Sequence, residues 1–379
     1  MVAERRVRLL ILPGDGIGIE VMQEVRRIVE WFRDVRSLPL DLHERPFGMA
    51  SWQRYGSLIP DETWHEIEWA DAILFGAVGS IDQQTAQIPA EERKRGGLLR
   101  LRKSLDVFAN LRPIRPFPPL LDMSSLKSEV IEAVDLVFVR ELTAGVYFGE
   151  PRGVERLADG RRRGVNTHVY HSDEIERVAR VAFELARRRR DQDRPGVVHS
   201  VDKANVMEAG RLWRETVQSL HDREFADVPL HHMLADNCAM QLVRRPAQFD
   251  VVLTDNLFGD LLSDCGAMIV GSLGMLASAS LSGVDATGRR RALYEPIHGS
   301  APDIAGRGIA NPLAAILSFA LCLRETVGAS RDADLLEGAV TAALAKGART
   351  ADIAMGHDSL TTSAMTDAVL QELDRAADV

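Results

Sequence analysis

The chain has only three cysteines in 379 residues, Cys238, Cys265 and Cys322. They are too few and too widely spaced for a disulfide framework, their number is odd, and no Cys-x-x-Cys pair is present to hold zinc. Such a chain is expected to keep its thiols reduced, in the cytoplasm. An excess of positive charge is also missing. A net charge of −9 gives no overall attraction to nucleic acid or to an anionic membrane. The one dense basic run, four arginines at 187–190, closes a stretch with helical period (Ile175, Val178, Ala179, Ala182, Leu185, Ala186). Cations there complement the helix dipole, so a solvated helix end is expected. No apolar stretch approaches the roughly 20 residues of a membrane span, and the apolar run at 9–12 is too short for the core of a signal peptide. There is no internal repeat and no low-complexity tract. What remains is a globular composition, 46% hydrophobic and 27% charged, with length enough for two or three domains and a real core.

Short apolar runs at 7–12, 72–78, 135–139, 196–200 and 249–254 read as buried strands. Helical periods lie between and after them, at about 19–32, 61–70, 173–190, 204–220, 311–327 and 332–346. Strands alternating with helices predict an α/β protein. The first strand runs into Pro13-Gly14-Asp15-Gly16-Ile17-Gly18. This turn resembles a phosphate loop, but the third glycine of a dinucleotide fingerprint would fall on Ile19, so no cofactor phosphate is assigned there. Four prolines within 113–119 disfavour both helix and central strand and predict a passage between domains. Residues 149–164, rich in Gly and Arg and without period, read as a flexible loop or a protruding arm.

The residues that suggest chemistry are acids, one lysine and three arginines. Asp260 and Asp264 share a helical face if helix continues past Gly259. Two adjacent carboxylates repel, and are useful around a hard divalent cation or else sit in solvent, Asp260 as a helix cap. Asp236 lies in an acidic, amide-rich turn, and Lys203 follows an apolar run. A metal with a lysine is apparatus for acid/base work on an oxygen-rich substrate. Arg102, Arg112 and Arg140 stand apart from the other arginines, with Arg140 at the end of a buried strand, where an unpaired charge is costly. Guanidinium groups bind carboxylates as planar forks, so three converging arginines would suit a dicarboxylate; ordinary salt bridges are the alternative. The loop at 295–312 combines small residues with His298 and Asp303. It can form a backbone-lined cradle in which an acid meets the ribose hydroxyls of a nucleotide, or simply a well-ordered loop with capping residues.

Taken together, these residues resemble the β-decarboxylating dehydrogenase family of isopropylmalate, isocitrate, homoisocitrate and tartrate enzymes. The resemblance rests on Leu-Pro-Gly-Asp-Gly-Ile-Gly (12–18), Leu-Arg-Lys-Ser (101–104), Ala-Asn-Leu-Arg-Pro (109–113), Val-Arg-Glu-Leu-Thr-Ala-Gly-Val-Tyr-Phe-Gly (139–149), Val-Asp-Lys-Ala-Asn-Val (201–206), Asp-Asn-Cys-Ala-Met-Gln-Leu (236–242), Asn-Leu-Phe-Gly-Asp-Leu-Leu-Ser-Asp (256–264) and the 295–312 loop. They occur in family order along nearly the whole chain. The resemblance implies a two-domain α/β fold with a central cleft. Residues 1–107 and 271–379 would form a cofactor-binding domain. Residues 108–270 would form a substrate and dimerisation domain, with an arm at 149–170. It further implies a homodimer with shared active sites, NAD as cofactor, Mg²⁺ or Mn²⁺ as metal, and a small 2-hydroxy diacid as substrate. Tyr147 and Lys203 match the catalytic positions. Arg102, Arg112 and Arg140 match the carboxylate-binding ones, and Leu98 and Leu99 the apolar wall. Asp236, Asp260 and Asp264 match the metal ligands, with Lys203 and Asp236 reaching into the partner's site, where Asp236 also borders the substrate. Asn205, Glu295, His298, Gly299, Ser300, Ala301, Asp303 and Asn311 match cofactor contacts, and Asp303 stands where NADP-using relatives place a lysine.

Leu142 after Arg-Glu, and the Leu98-Leu99 pair, follow the isopropylmalate pattern, and so predict oxidative decarboxylation of a 3-alkylmalate, as in leucine biosynthesis. The segment before that pair departs from it. Arg93, Lys94 and Arg95 stand where a glutamate is usual, Gly79-Ser80-Ile81-Asp82-Gln83 replaces the usual Gly-Gly-Pro-Lys-Trp, and the small-residue turn near 48 reads Phe47-Gly48-Met49-Ala50-Ser51. A basic run there could instead meet an anionic substrate tail, so another 2-hydroxy diacid, such as homoisocitrate, tartrate or an acid-tailed malate of specialised metabolism, is the alternative.

Overall fold

The structure, a computed structural model, describes residues 6–79 and 88–377. The strands are β1 (Val7–Gly14), β2 (Leu40–Glu44), β3 (Ala72–Ala77), β4 (Ala109–Ile114), β5 (Leu136–Glu141), β6 (Gly153–Arg156), β7 (Arg162–Val165), β8 (Val198–Asp202), β9 (Leu230–Leu234), β10 (Val251–Thr254), β11 (Ala277–Val284) and β12 (Arg290–Pro296). The chain divides into two compact units. Unit 1 comprises Met1–Asp106, Phe117–Ser125 and Val270–Val379, and unit 2 comprises Val107–Pro116 and Leu126–Ile269.

In unit 1 the strand order is β2-β1-β3-β12-β11. β1 pairs in parallel with β2 and β3, β12 runs parallel to β3, and only the β11–β12 pair is antiparallel. Every residue of β3 is buried, as expected of a parallel strand covered on both faces. The helix Ile17–Val35 turns Val21, Met22, Val25, Ile28, Val29 and Phe32 inward at helical spacing. It begins immediately after the glycine turn, at Gly16, whose φ is +57°. A Cβ at Gly16 would lie 2.1 Å from the Ser300 carbonyl oxygen, and Ile17 N–H donates to that oxygen at 2.9 Å. The glycine turn therefore lets the backbone close against the 295–312 loop.

In unit 2 the order is β4-β5-β10-β8-β9. β5, β10, β8 and β9 pair in parallel, and β4 lies antiparallel to β5. Pro113 sits inside β4, opposite Val137, so the proline-rich segment begins as strand before its short 3₁₀ turn at Pro118–Met123. Residues 149–164 are not structureless: β6 and β7 form an antiparallel hairpin, solvent-exposed over nearly its whole length. The arginines closing the helix Ser172–Arg190 are paired rather than merely solvated. Arg187 and Arg190 both reach Asp227, and Arg189 reaches the fully buried Asp250 at 2.6 Å and Asp135 at 3.0 Å. Long side chains at a helix end fold back when carboxylates lie beneath them. Among the described residues, no helix is long and apolar enough to cross a membrane.

Candidate active site

Two strands, a helix and a 3₁₀ turn build the central cluster of unit 2. β4 and β5, with their two-residue period, deliver Arg112 and Arg140 from adjacent strands. The helix Asn256–Val270 begins four residues before Asp260, so Asp260 and Asp264 do lie one turn apart on a common face. A glycine at 259 is required there, because a Cβ would fall 2.7 Å from Arg140 Cγ. Arg112 donates through Nη2 to Asp260 at 3.2 Å and through Nη1 to Asp264 at 3.0 Å and Ser263 Oγ at 2.7 Å. Arg140 Nη1 donates to the same Asp260 oxygen. The Tyr147 hydroxyl, carried by the 3₁₀ turn Gly145–Tyr147, donates to the other Asp260 oxygen at 3.0 Å. The two guanidinium groups are 8% and 5% exposed, Asp260 31% and Asp264 56%.

The electrostatics follow from this geometry. Burial works to raise the Asp260 carboxyl, but Arg140 and Arg112 outweigh it and hold the group below its usual value. Asp264 moves the other way, pushed up by partial burial and by the charge on Asp260, against the pull of Arg112. Tyr147 is raised by burial and by donating to Asp260, so its phenol keeps its proton. The result is a pair of buried cations facing a pair of carboxylates, with a protonated phenol beside them.

Two neutral amides, to which sequence reasoning assigned no role, complete the cluster. Asn110 Oδ1 accepts from Arg112 Nε at 2.8 Å. Asn256 Oδ1 accepts from Arg140 Nε at 3.1 Å and Nη2 at 2.7 Å. The available signal was spacing: Asn110 precedes Arg112 by one strand period, and Asn256 precedes Asp260 by one helical turn.

Lys203 and Asp236 form a separate pair in unit 2. Lys203 Nζ lies 2.8 Å from Asp236 Oδ1, in the first turn of the helix Ala235–Arg244. The lysine holds the Asp236 carboxyl below its usual value. Among the described residues, no three His, Cys, Asp or Glu side chains converge as a metal site, so Asp236 does not join Asp260 and Asp264 within one chain. Asn205 is exposed in the turn just after Lys203.

The remaining candidates belong to unit 1. Leu98 and Arg102 share a face of the short helix Leu98–Ser104, and Leu99 is 51% exposed. Arg102 binds the buried Glu295 at the end of β12, through Nη2 at 2.6 Å and Nε at 3.2 Å. A residue expected on the substrate and one expected on the cofactor are thus joined. Ser300 Oγ donates to the Gly79 carbonyl at 2.6 Å. Ala301 adopts φ +38°, a left-handed turn that redirects the loop after Gly299 and Ser300. His298 is pushed below its usual value by burial. Asp303 is exposed. The Asn311 side chain is engaged within the protein, donating to Asp352 at 3.0 Å and accepting from Leu313 N–H at 3.0 Å. Asp352, another residue not anticipated, anchors this corner by also accepting from Ser272 Oγ at 2.6 Å. Of the altered specificity segment, Arg93 is exposed; Ser80 to Gln83 and the side chains of Lys94 and Arg95 lie outside the described residues.

The family model for isocitrate/isopropylmalate dehydrogenase matches residues 8–369. The chain belongs to that family. It is 55% identical over 371 residues to a 3-isopropylmalate dehydrogenase of Gluconobacter oxydans, covering 98% of this chain and 99% of the relative. It is likewise 55% identical over 369 residues to a 3-isopropylmalate dehydrogenase of Cereibacter sphaeroides, covering 97% and 98%. Among solved structures, the isocitrate dehydrogenase of Methylococcus capsulatus superposes with a TM-score of 0.81 at 31% identity, over 97% of this chain and 99% of that one. A β-decarboxylating dehydrogenase from Thermococcus kodakarensis does so with a TM-score of 0.76 at 31% identity, over 98% of each. The α/β fold expected from alternating strands and helices is the fold of these structures.

Proposed function

We propose that the chain catalyses the NAD-dependent oxidative decarboxylation of (2R,3S)-3-isopropylmalate to 4-methyl-2-oxopentanoate and CO₂, a step of leucine biosynthesis. The observation that carries this reading is the cluster of Arg112, Arg140, Tyr147, Asp260 and Asp264, in a chain 55% identical over 98% of its length to a protein of that name. Asp260 and Asp264 offer only anionic oxygens, on one helix face, a donor set suited to Mg²⁺ or Mn²⁺. They would hold the ion together with the partner subunit's Asp236, in a homodimer with shared sites. Exposed Met240, Val243, Leu261 and Met268 on the helices carrying these acids support a second copy there. When bound, the cation would supply Lewis-acid polarisation of the oxygen on the substrate's C2, and NAD would supply the hydride acceptor.

The chain's own residues do the rest. Arg112 and Arg140, with Arg102, exchange aspartate and glutamate partners for the substrate's carboxylates, which they grip as forks. Lys203, which reaches with Asp236 into the partner's site, accepts the hydroxyl proton there during oxidation. The resulting β-keto acid loses CO₂ from its carboxylate, and Tyr147, protonated until then, delivers its proton to C3 of the enolate that remains. Leu98 and Leu99 cover the isopropyl group, each buried CH₂ contributing about 0.8 kcal/mol. Glu295, His298, Gly299, Ser300, Ala301, Asp303 and Asn311, with Asn205, hold NAD. The exposed Asp303 carboxylate accepts from ribose hydroxyls and repels a 2′-phosphate.

Steady-state rates with NAD, Mg²⁺ and a panel of 3-substituted malates test the reading. 3-Isopropylmalate should be the best of the panel, and Arg95→Ala should change kcat/KM little. Weak 3-isopropylmalate turnover beside strong turnover of an acid-tailed malate would overturn the substrate while keeping the reaction class.

A further inference from the structure

Asn256 is 1% exposed, at the first position of the helix that carries both aspartates. Its amide works in two directions. Oδ1 accepts from Arg140 Nε and Nη2, as described above, while Nδ2 donates to the Ala144 carbonyl at 2.9 Å. Its main-chain N–H donates to the Tyr170 hydroxyl at 2.8 Å. Ala144 is gripped from its other side as well, because its N–H donates to the fully buried Glu141 carboxylate at 2.8 Å, which also accepts the Thr143 N–H at 3.0 Å. The turn fixed in this way runs directly into Gly145–Tyr147, and the Tyr147 phenol ends on Asp260. One buried side chain thus touches both the guanidinium and the turn that delivers the phenol.

The chemistry of the amide matters. It accepts on one edge and donates on the other without net charge. A carboxylate of the same shape would still accept from Arg140. It could not donate to the Ala144 carbonyl, and it would add a second anion to a guanidinium that already meets Asp260. A neutral acceptor orders the cation and leaves its charge for an incoming anion.

We infer that Asn256 is a positioning residue for the reaction, fixing the Arg140 guanidinium and the Tyr147 turn together while leaving the positive charge of Arg140 to the substrate carboxylate. The inference rests on the reading of Arg140 as a carboxylate-binding group. It separates two effects in kinetics, because Arg140 acts on malate binding and the Tyr147 turn acts on the chemical step.

Asn256→Asp, Asn256→Ser and Arg140→Gln would be compared with the wild type for malate KM, NAD KM, kcat and Tm, at saturating Mg²⁺. For Asn256→Asp the malate KM should rise about 10- to 100-fold, the range of a hydrogen bond to a charged group. NAD KM should stay within about twofold, while Tm should fall in both Asn256 variants, because each leaves the buried Ala144 carbonyl without its donor. Asn256→Ser keeps the site neutral, so it should raise malate KM less than the acid does, while lowering kcat through the freed Ala144 carbonyl. If Asn256→Asp leaves malate KM unchanged, or raises the malate and NAD KM values equally, or if the serine variant raises malate KM more than the acid, the inference is wrong. If Arg140→Gln itself leaves malate KM unchanged, the substrate role of Arg140 fails; if only Arg140→Gln raises it, Asn256 alone is misassigned.

Discussion

Asp260→Asn should have two opposite effects on substrate. The carboxylate accepts from Arg112 Nη2 at 3.2 Å, from Arg140 Nη1 and from the Tyr147 hydroxyl at 3.0 Å. Two nearly buried guanidinium groups are therefore balanced by Asp260 and Asp264, and the substitution leaves them one negative charge short. A hydrogen bond to a charged group is worth about 1.5–3 kcal/mol. Asp260 is 31% exposed, which screens the interaction and reduces the figure to about 1–2 kcal/mol. In the wild type a malate dianion must compete with Asp260 for these arginines; in the variant it supplies the missing charge. Without metal, the variant should bind 3-isopropylmalate about 5- to 30-fold more tightly than the wild type. With metal, its turnover should collapse, because a hard cation has lost an anionic oxygen ligand. Calorimetric titration in excess chelator reads the first effect, and initial rates at limiting Mg²⁺ the second. Equal or weaker metal-free binding by the variant would refute the charge balance, and unchanged turnover at limiting Mg²⁺ would remove Asp260 from the metal site.

Asp303→Lys, combined with Ile304→Tyr, should shift cofactor preference from NAD toward NADP, since an ammonium attracts the 2′-phosphate that a carboxylate repels; a wild type already preferring NADP would show the loop to be misread. Lys203→Met and Tyr147→Phe chains, each inactive alone, should recover about a quarter of wild-type activity when co-refolded at equal ratio, because half the dimers are mixed and each has one intact shared site; no recovery would mean each chain carries a complete site. Burial pushes the Glu141 carboxyl from its usual 4.5 up to about 7. The folded state therefore binds this proton more tightly than the unfolded one, and the group's contribution to stability is complete below about pH 4.5 and lost as pH rises through about 7. Glu141→Gln should abolish that loss, worth up to about 3 kcal/mol, and flatten stability between pH 5 and pH 8 in urea unfolding; an unchanged slope would place the pH dependence elsewhere.

The parallel core strands were legible because strands covered on both faces are written as continuous apolar runs, as in Ala72–Ala77 and Leu136–Glu141. Leu40–Glu44 and Leu230–Leu234 were not, because they sit at the outer ends of their strand orders and carry Asp, His and Glu among the leucines. Gly153–Arg156 and Arg162–Val165 have no apolar face to betray them, since almost all of the hairpin is in solvent. Pro113 argued against a strand and nevertheless occupies one, next to its last residue, where the loss of one donor is tolerated.

The site divides by charge. Acids and arginines announce themselves because burying them is costly, so helical spacing paired Asp260 with Asp264, and a place at the end of a buried strand singled out Arg140. Their assignment to metal, substrate or proton transfer came from the resemblance, since no spacing distinguishes a salt bridge from a carboxylate clamp. Neutral amides carry no such cost signal. Asn110 and Asn256 meet the edges of guanidinium groups that the fold places against them, and those edges exist only once β4, β5 and the helix Asn256–Val270 are in register. The same holds for Gly259, whose missing side chain is occupied by Arg140. A cluster of this kind is held in place by its least conspicuous members. The charges could exchange aspartate for substrate without losing their orientation because the amides on their far edges do not leave.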